Sequence, residues 1–237
     1  MRVFWLVALG ASTLITLTGC SGGSNVGATA PPAVVLTGSN VNPDGFPYPS
    51  PAGGYGHNAR VVGKTPGSIM QNFKFYGYRN GDMSQGLQTI SLADYYDPCS
   101  KRYALLRISV AAVWCVPCNE ETAALVADQA TLASERVVVI QALGDGPTMG
   151  TGATQADLTT WVTKYKPTFT EMLDPNLMNL GSFFDASEIP WNCDIDPRTM
   201  EILQAATGWS GDLNMDLALP RAEAGATPGY PVTVTCN

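Results

Sequence analysis

Between residues 104 and 133 the chain changes character within three positions, and that change limits the folds open to it. Residues 104–112 are apolar and partly β-branched, with only Arg107 and Ser109 polar, the composition of a strand buried on both faces. From Cys115 to residue 133, Ala, Leu, Glu and Gln dominate and the pattern turns helical. A buried strand that runs straight into a helix belongs to a layered α/β sheet. The alternation continues along the chain. Residues 72–78 and 88–91 read as an early strand pair around the turn signal Asn80-Gly81. Strands follow at 136–143, 168–173, 189–195 and 200–206. Helices are expected at 154–165, 176–184 and 212–223, the last interrupted by Pro220. Capping-box patterns begin at Ser91 and Thr154, each with Asp three residues on. The order predicts a central mixed sheet flanked by helices, with an N-terminal β-hairpin extension and an antiparallel closing hairpin.

The changeover itself carries Trp114-Cys115-Val116-Pro117-Cys118, the one closely spaced pair among six cysteines. Unpaired amide N–H groups and the helix dipole favour negative charge at a helix N-terminus. A thiolate is stabilised there, and the thiolate is the attacking species in disulfide exchange. Cys115 is expected at the exposed start. Cys118, one turn further in, is expected to be buried and placed to attack a mixed disulfide. Pro117 fits because first-turn amides have no helical partner.

With these residues the chain resembles the thioredoxin superfamily, over roughly residues 61–210. Cys118-Asn119-Glu120-Glu121 also resembles the Cys-x-x-Glu extension of the membrane-tethered TlpA/ResA-like thiol–disulfide oxidoreductases. The resemblance implies a thioredoxin-like fold and exchange through Cys115 and Cys118. It implies that Glu121 lies near the disulfide and tunes proton transfer; the alternative is a solvated first-turn acid that only favours the helix dipole. It implies a cis proline at Ile189-Pro190 opposite the disulfide, against the alternative of a trans turn proline. Substrate contacts are then expected from Trp114, Pro117, Ile189 and Pro190. Two departures bear on mechanism. Ser109 stands six residues before the first cysteine, where many thioredoxins carry a buried acid, and Ala123 stands where the tethered group often has proline. Acid–base duty therefore falls to Glu121. Glu120 and Glu121 oppose thiolate stabilisation and Val116-Pro117 lacks the histidine of strong oxidants, so a reductant is expected. Ala112 occupies the place of a peroxiredoxin threonine, which argues against a peroxidase.

Three cysteines remain once Cys20 is assigned to the N-terminus. One disulfide plus a free thiol is the simplest arithmetic, with Cys99–Cys236 preferred over Cys193–Cys236 and Cys193 a buried residue or a third redox thiol. The N-terminus has Arg2 as its only charge before Cys20, an apolar run from Val3 to Leu17, and then Leu17-Thr18-Gly19-Cys20. The run suits a signal peptide and is short for a membrane span. Its end resembles the bacterial lipobox, which implies cleavage after residue 19 and lipidation of Cys20; an ordinary secretory signal is the alternative. Ser21 in place of Asp favours the outer membrane. Residues 20–60 are rich in Gly, Ser, Pro, Asn and Ala and read as a lipid-anchored flexible tether, although the aromatics of 48–55 could pack on the domain at 61–237. The net charge of −7 argues against a nucleic-acid partner. A single histidine, His57, and the lack of paired ligands argue against a metal, and no cofactor is expected. Expected partners are disulfide-bearing exported proteins, an upstream thiol electron donor and the membrane through its anchor. A surface lipoprotein using the same fold as a non-catalytic binding scaffold is the competing class.

Overall fold

The computed structural model describes residues 38–49, 64–228, 231–232 and 234–236. Residues 1–37 and 50–63, which include the signal segment, Cys20, most of the expected tether and Tyr55, lie outside the described residues. Seven strands form one mixed sheet: β1 (Lys74–Tyr78), β2 (Gln88–Ser91), β3 (Leu105–Ala112), β4 (Val137–Asp145), β5 (Thr170–Leu173), β6 (Trp191–Asp196) and β7 (Glu201–Thr207). Their order across the sheet is β2-β1-β5-β4-β3-β6-β7. The central pairs β3/β4 and β4/β5 are parallel, and the four outer pairings are antiparallel. All eight residues of β3 are buried, as its unbroken apolar run requires. The early strand pair forms, with Asn80 and Gly81 both in the left-handed region at φ 53° and 65°.

Three α-helices complete the layer: α1 (Val116–Ser134), α2 (Gln155–Tyr165) and α3 (Leu213–Gly225). They bring Leu125, Leu132, Leu158, Trp161, Leu213 and Leu217 against the sheet face that carries Leu105, Val139 and Leu143. The opposite face, with Leu106, Ile108, Ile140 and Met172, is covered by short turns and by aromatics such as Tyr95, Phe183 and Phe184. Helix α2 begins with the expected capping box of Thr154 and Asp157. Ser91 and Asp94 form theirs on a single 3₁₀ turn, Leu92–Tyr95. α3 runs through Pro220, which is buried on its inner side.

Two expectations need correction. Residues 176–184 do not form a helix. Asn176 and Leu177 both take positive φ of 55°, and Asp174 accepts the amides of Asn179 and Leu180 at 2.9 Å. A side chain that captures local amides competes with the helical ladder, so the segment folds as a 3₁₀ turn, Pro175–Leu177, and further turns. The packed chain also begins earlier than residue 61. Asn42 is buried and donates to the Tyr96 carbonyl at 2.9 Å, and Tyr48 donates to the Met70 carbonyl at 2.7 Å. Part of the segment that reads as tether is therefore held to the backbone at Met70 and Tyr96 by its own polar side chains.

Candidate functional site

The loop between β3 and α1 puts Cys115 at the N-cap of α1, with extended φ/ψ and its Sγ accepting the Cys118 amide at 3.1 Å. Val116 and Pro117 fill the first turn, and Cys118 follows within the helix. Cys115 and Cys118 are joined, with an S–S distance of 2.03 Å. Across from them, the Ile189–Pro190 bond is cis, and the Ile189 carbonyl oxygen lies 3.6 Å from Cys115 Sγ. Trp114 is half-buried and donates from Nε1 to Asp145 Oδ2 at 3.2 Å. Trp114, Cys115, Pro117, Cys118, Ile189 and Pro190 thus meet at one end of the sheet.

Cys115 is not the exposed residue the sequence suggests. It retains 2% of its surface, and Cys118 none. The reason is local. Cys115 Sγ is bonded to Cys118 and faced by the Ile189 backbone, within a cluster that includes Ala112, Leu143 and Trp161. The outer rim consists of the exposed Val116 and Pro117.

Glu121 is fully buried, so the alternative of a solvated first-turn acid does not hold. It lies three residues beyond Cys118, the spacing that brings two side chains onto one helix face. Asn192 on β6 donates to its Oε1 at 2.7 Å, and Ser109 on β3 stands 3.5 Å from its Oε2. The carboxyl therefore sits beside the strand position where the resemblance would place an acid. Burial pushes its pKa up to about 7, against the opposing pull of the Arg107 guanidinium and the Asn192 hydrogen bond. Arg107 is itself buried, and it grips Asp194 through two hydrogen bonds of 2.8 Å.

Several contributors carry no motif and escape the sequence reading. Asn119 donates to the carbonyls of Val113 and Cys115, and its Oδ1 accepts from Lys164 and Tyr165. It ties the cysteine loop to α2. Gln141 links Ser109, Thr122 and Trp161 beneath α1. The only available signal was polarity inside buried strands, at Arg107, Ser109, Gln141 and Asn192.

The other described cysteines, Cys99, Cys193 and Cys236, lie apart from this site. Cys99 and Cys236 are joined, with Cα atoms 5.6 Å apart. Cys193 is a free buried thiol whose pKa burial drives well up. Its strand position faces the side of the sheet opposite Asn192, so it is not a neighbour of the Glu121 carboxyl. No group of metal-binding side chains occurs among the described residues. No helix among them is long and apolar enough to cross a membrane.

No family model matches the chain, and no curated protein matches it. Solved structures do. A Chlorobium tepidum protein assigned as the thiol:disulfide interchange protein DsbE superposes with a TM-score of 0.52 at 17% identity, covering 68% of this chain and 99% of that one. The fold is thioredoxin-like. The exposed lipoprotein thioredoxin Etrx1 of Streptococcus pneumoniae gives 0.46 at 18% identity over 64% of this chain and 99% of its own. A Plasmodium vivax 2-Cys peroxiredoxin gives 0.48 at 12% over 67% and 95%.

Proposed function

We propose that this protein is a thiol–disulfide oxidoreductase of the bacterial cell envelope, lipid-anchored through Cys20, that reduces disulfides in exported proteins. The observation that carries the reading is the position of Cys115 Sγ. It caps α1, accepts the Cys118 amide, is bonded to Cys118 and faces the backbone of a cis Ile189–Pro190. A helix N-terminus with a converging amide stabilises the thiolate of the reduced form.

In the reduced protein the Cys115 thiolate attacks one sulfur of a client disulfide, and the other client sulfur leaves as a thiolate. A mixed disulfide then joins Cys115 to the client. Cys118 gives its proton to the Glu121 carboxylate and attacks Cys115 Sγ, expelling the second client thiolate. Two electrons pass to the client, whose thiolates take up two protons. The Cys115–Cys118 disulfide remains, and an upstream thiol donor must return two electrons. With a pKa of about 7, Glu121 can accept and release that proton near neutrality. Trp114, Pro117, Ile189 and Pro190 would line the client, the Ile189 backbone pairing with an extended segment.

The 2% exposure of Cys115 favours a second reading, in which the fold is a binding scaffold and the bridge is structural. Insulin reduction by the full chain separates the two. Exchange predicts turnover that stops in Cys115→Ser, and a Cys118→Ser variant that captures disulfide-bearing proteins through Cys115. A reduced Cys115 that neither turns over insulin nor reacts with an alkylating reagent would leave only the scaffold.

A further inference from the structure

Cys118 and Glu121 are both fully buried, so a proton taken by Glu121 needs a way out. Ser109 and Arg107 face the carboxyl from β3, Asn192 and Asp194 from β6, and Asp216 acts on it from α3. A pocket of about 300 Å³, formed where β6 and β7 meet α3, is walled by Arg107, Asn192, Asp194, Gln204, Trp209 and Asp216, among others. Three polar atoms of its walls have no protein partner among the described residues: Arg107 Nη1, Asn192 Oδ1 and Gln204 Oε1. Arg107 is 2% exposed and Asn192 5%, so these are buried groups with hydrogen-bonding capacity to spare, which is costly unless something satisfies it. One donor and two acceptors in a single pocket complement a water molecule, which accepts and donates twice. Asn192 belongs to both sides. Its Nδ2 holds Glu121 Oε1 at 2.7 Å, which leaves Oδ1 for the pocket.

We propose that this pocket is the proton port of Glu121: water held by Arg107, Asn192 and Gln204 takes the proton that Cys118 surrenders, and the Asn192 carboxamide is the positioning group between carboxyl and water. The inference rests on the exchange reading above. Cys118 S–H breaks as its proton moves to a Glu121 oxygen. The Asn192 amide swings off Oε1, the Glu121 O–H passes its proton to pocket water, and the resulting hydronium ion loses it to solvent. No electrons move in this relay, and Asn192 is never protonated. The port also explains why Gln204 and Trp209, remote from the cysteines, share a pocket with the partner of the acid.

Ala206 tests the port without touching the exchange residues. It is exposed, lines the pocket, and pairs in register with Asn192 across β6 and β7, so Ala206→Phe fills the space beside the amide. The reduced full chain, freed of reductant, is mixed with dithiobis(nitrobenzoate), a chromogenic aromatic disulfide. Attack by Cys115 releases one thionitrobenzoate, and closure by Cys118 releases the second; the signal of Cys115→Ser is subtracted. The expected result for Ala206→Phe is an unchanged first release and a second slowed about tenfold near neutral pH, less than the 10²–10⁴-fold that the positioned acid–base group itself contributes, because Glu121 stays in place. Asn192→Ala, which removes the group that positions the water and a bond that holds the Glu121 pKa down, should also slow closure, with its pH midpoint moved upward. Closure at the wild-type rate in Ala206→Phe or in Asn192→Ala overturns the port. Absence of any first release from the wild type strikes the exchange reading instead, and the port falls with it.

Discussion

The two disulfides among the described residues differ in almost every respect except chemistry. Cys115 and Cys118 are three residues apart, buried, and set at the start of a 19-residue helix. Cys99 and Cys236 are 137 residues apart, with Cys99 half-buried in a turn and Cys236 exposed near the end of the chain. Exposure alone would mark the second pair as the reactive one. Placement points the other way. Only the first pair has a helix N-terminus to favour a thiolate, with Glu121 one turn further along that helix. Closing three residues restrains the unfolded chain little, so that bond can open and re-form without loosening the fold. Closing 137 residues ties the tail to the segment ahead of β3, and a bond in that position serves the fold best by never opening.

The largest expected effect is in activity. Cys115→Ser should lower insulin reduction by more than about 10³-fold, the scale of losing a covalent nucleophile, whereas Cys236→Ser should leave turnover within about twofold. Comparable losses in both variants would erase the distinction. Stability should respond in the reverse order. In the chain-entropy account, loss of the Cys99–Cys236 link costs about 5 kcal/mol and loss of the three-residue link roughly 2 kcal/mol. Urea unfolding of Cys99→Ser and Cys115→Ser checks the ranking, and equal midpoints would refute it.

Much of this contrast is legible in the sequence. The strand-to-helix change at 104–133 places Cys115 and Cys118 at a helix start, and the sequence prefers Cys99–Cys236 over Cys193–Cys236 without deciding between them. What is not legible comes from tertiary packing. The Cys-x-x-Glu resemblance of Cys118-Asn119-Glu120-Glu121 singles out Glu121 but leaves open whether it is buried or solvated. Helix spacing puts Glu121 on the Cys118 face, but its depth depends on Ser109 and Asn192, brought from two other strands. The exposure of Cys115 failed as an expectation for a similar reason, since its cover is the Ile189 backbone, 74 residues away. The helix expected at 176–184 fails because the side chain of Asp174 captures the amides of Asn179 and Leu180 and decides for turns.

Glu121 sharpens the comparison through pH. Its pKa rises from an ordinary 4.5 to about 7 in the folded state. Below about 4.5 the group is neutral in both states and its contribution to stability is complete. Between 4.5 and 7 the unfolded chain ionises first, and folding is progressively disfavoured; above 7 the loss is constant. Relative to Glu121→Gln, the wild type should therefore lose about 3 kcal/mol across that window, measured by denaturant unfolding at a series of pH values. The same variant should slow closure by Cys118 and leave the Cys99–Cys236 link intact. A flat stability difference between the two proteins would show that the carboxyl is not held in a dry site.

Glu171 provides the smallest effect and the control. It lies across β4 from Ser109, in register with Gln141, and is as buried as Glu121. Among the described residues neither of its carboxyl oxygens has a hydrogen-bond partner, and burial alone drives its pKa far above the ordinary range. A neutral acid held without partners is a cost to the fold. Replacing it with an apolar side chain of similar length should be neutral or stabilising by about 1–2 kcal/mol, and Glu171→Met tests this by thermal unfolding. Because no charged or hydrogen-bonded group connects Glu171 to the cysteines, the variant should keep the wild-type pH midpoint of closure. If that midpoint moves as far as it does in Glu121→Gln, the acid–base work belongs to the whole polar row beneath α1, and the one-turn spacing from Cys118 is not what selects the catalytic carboxyl.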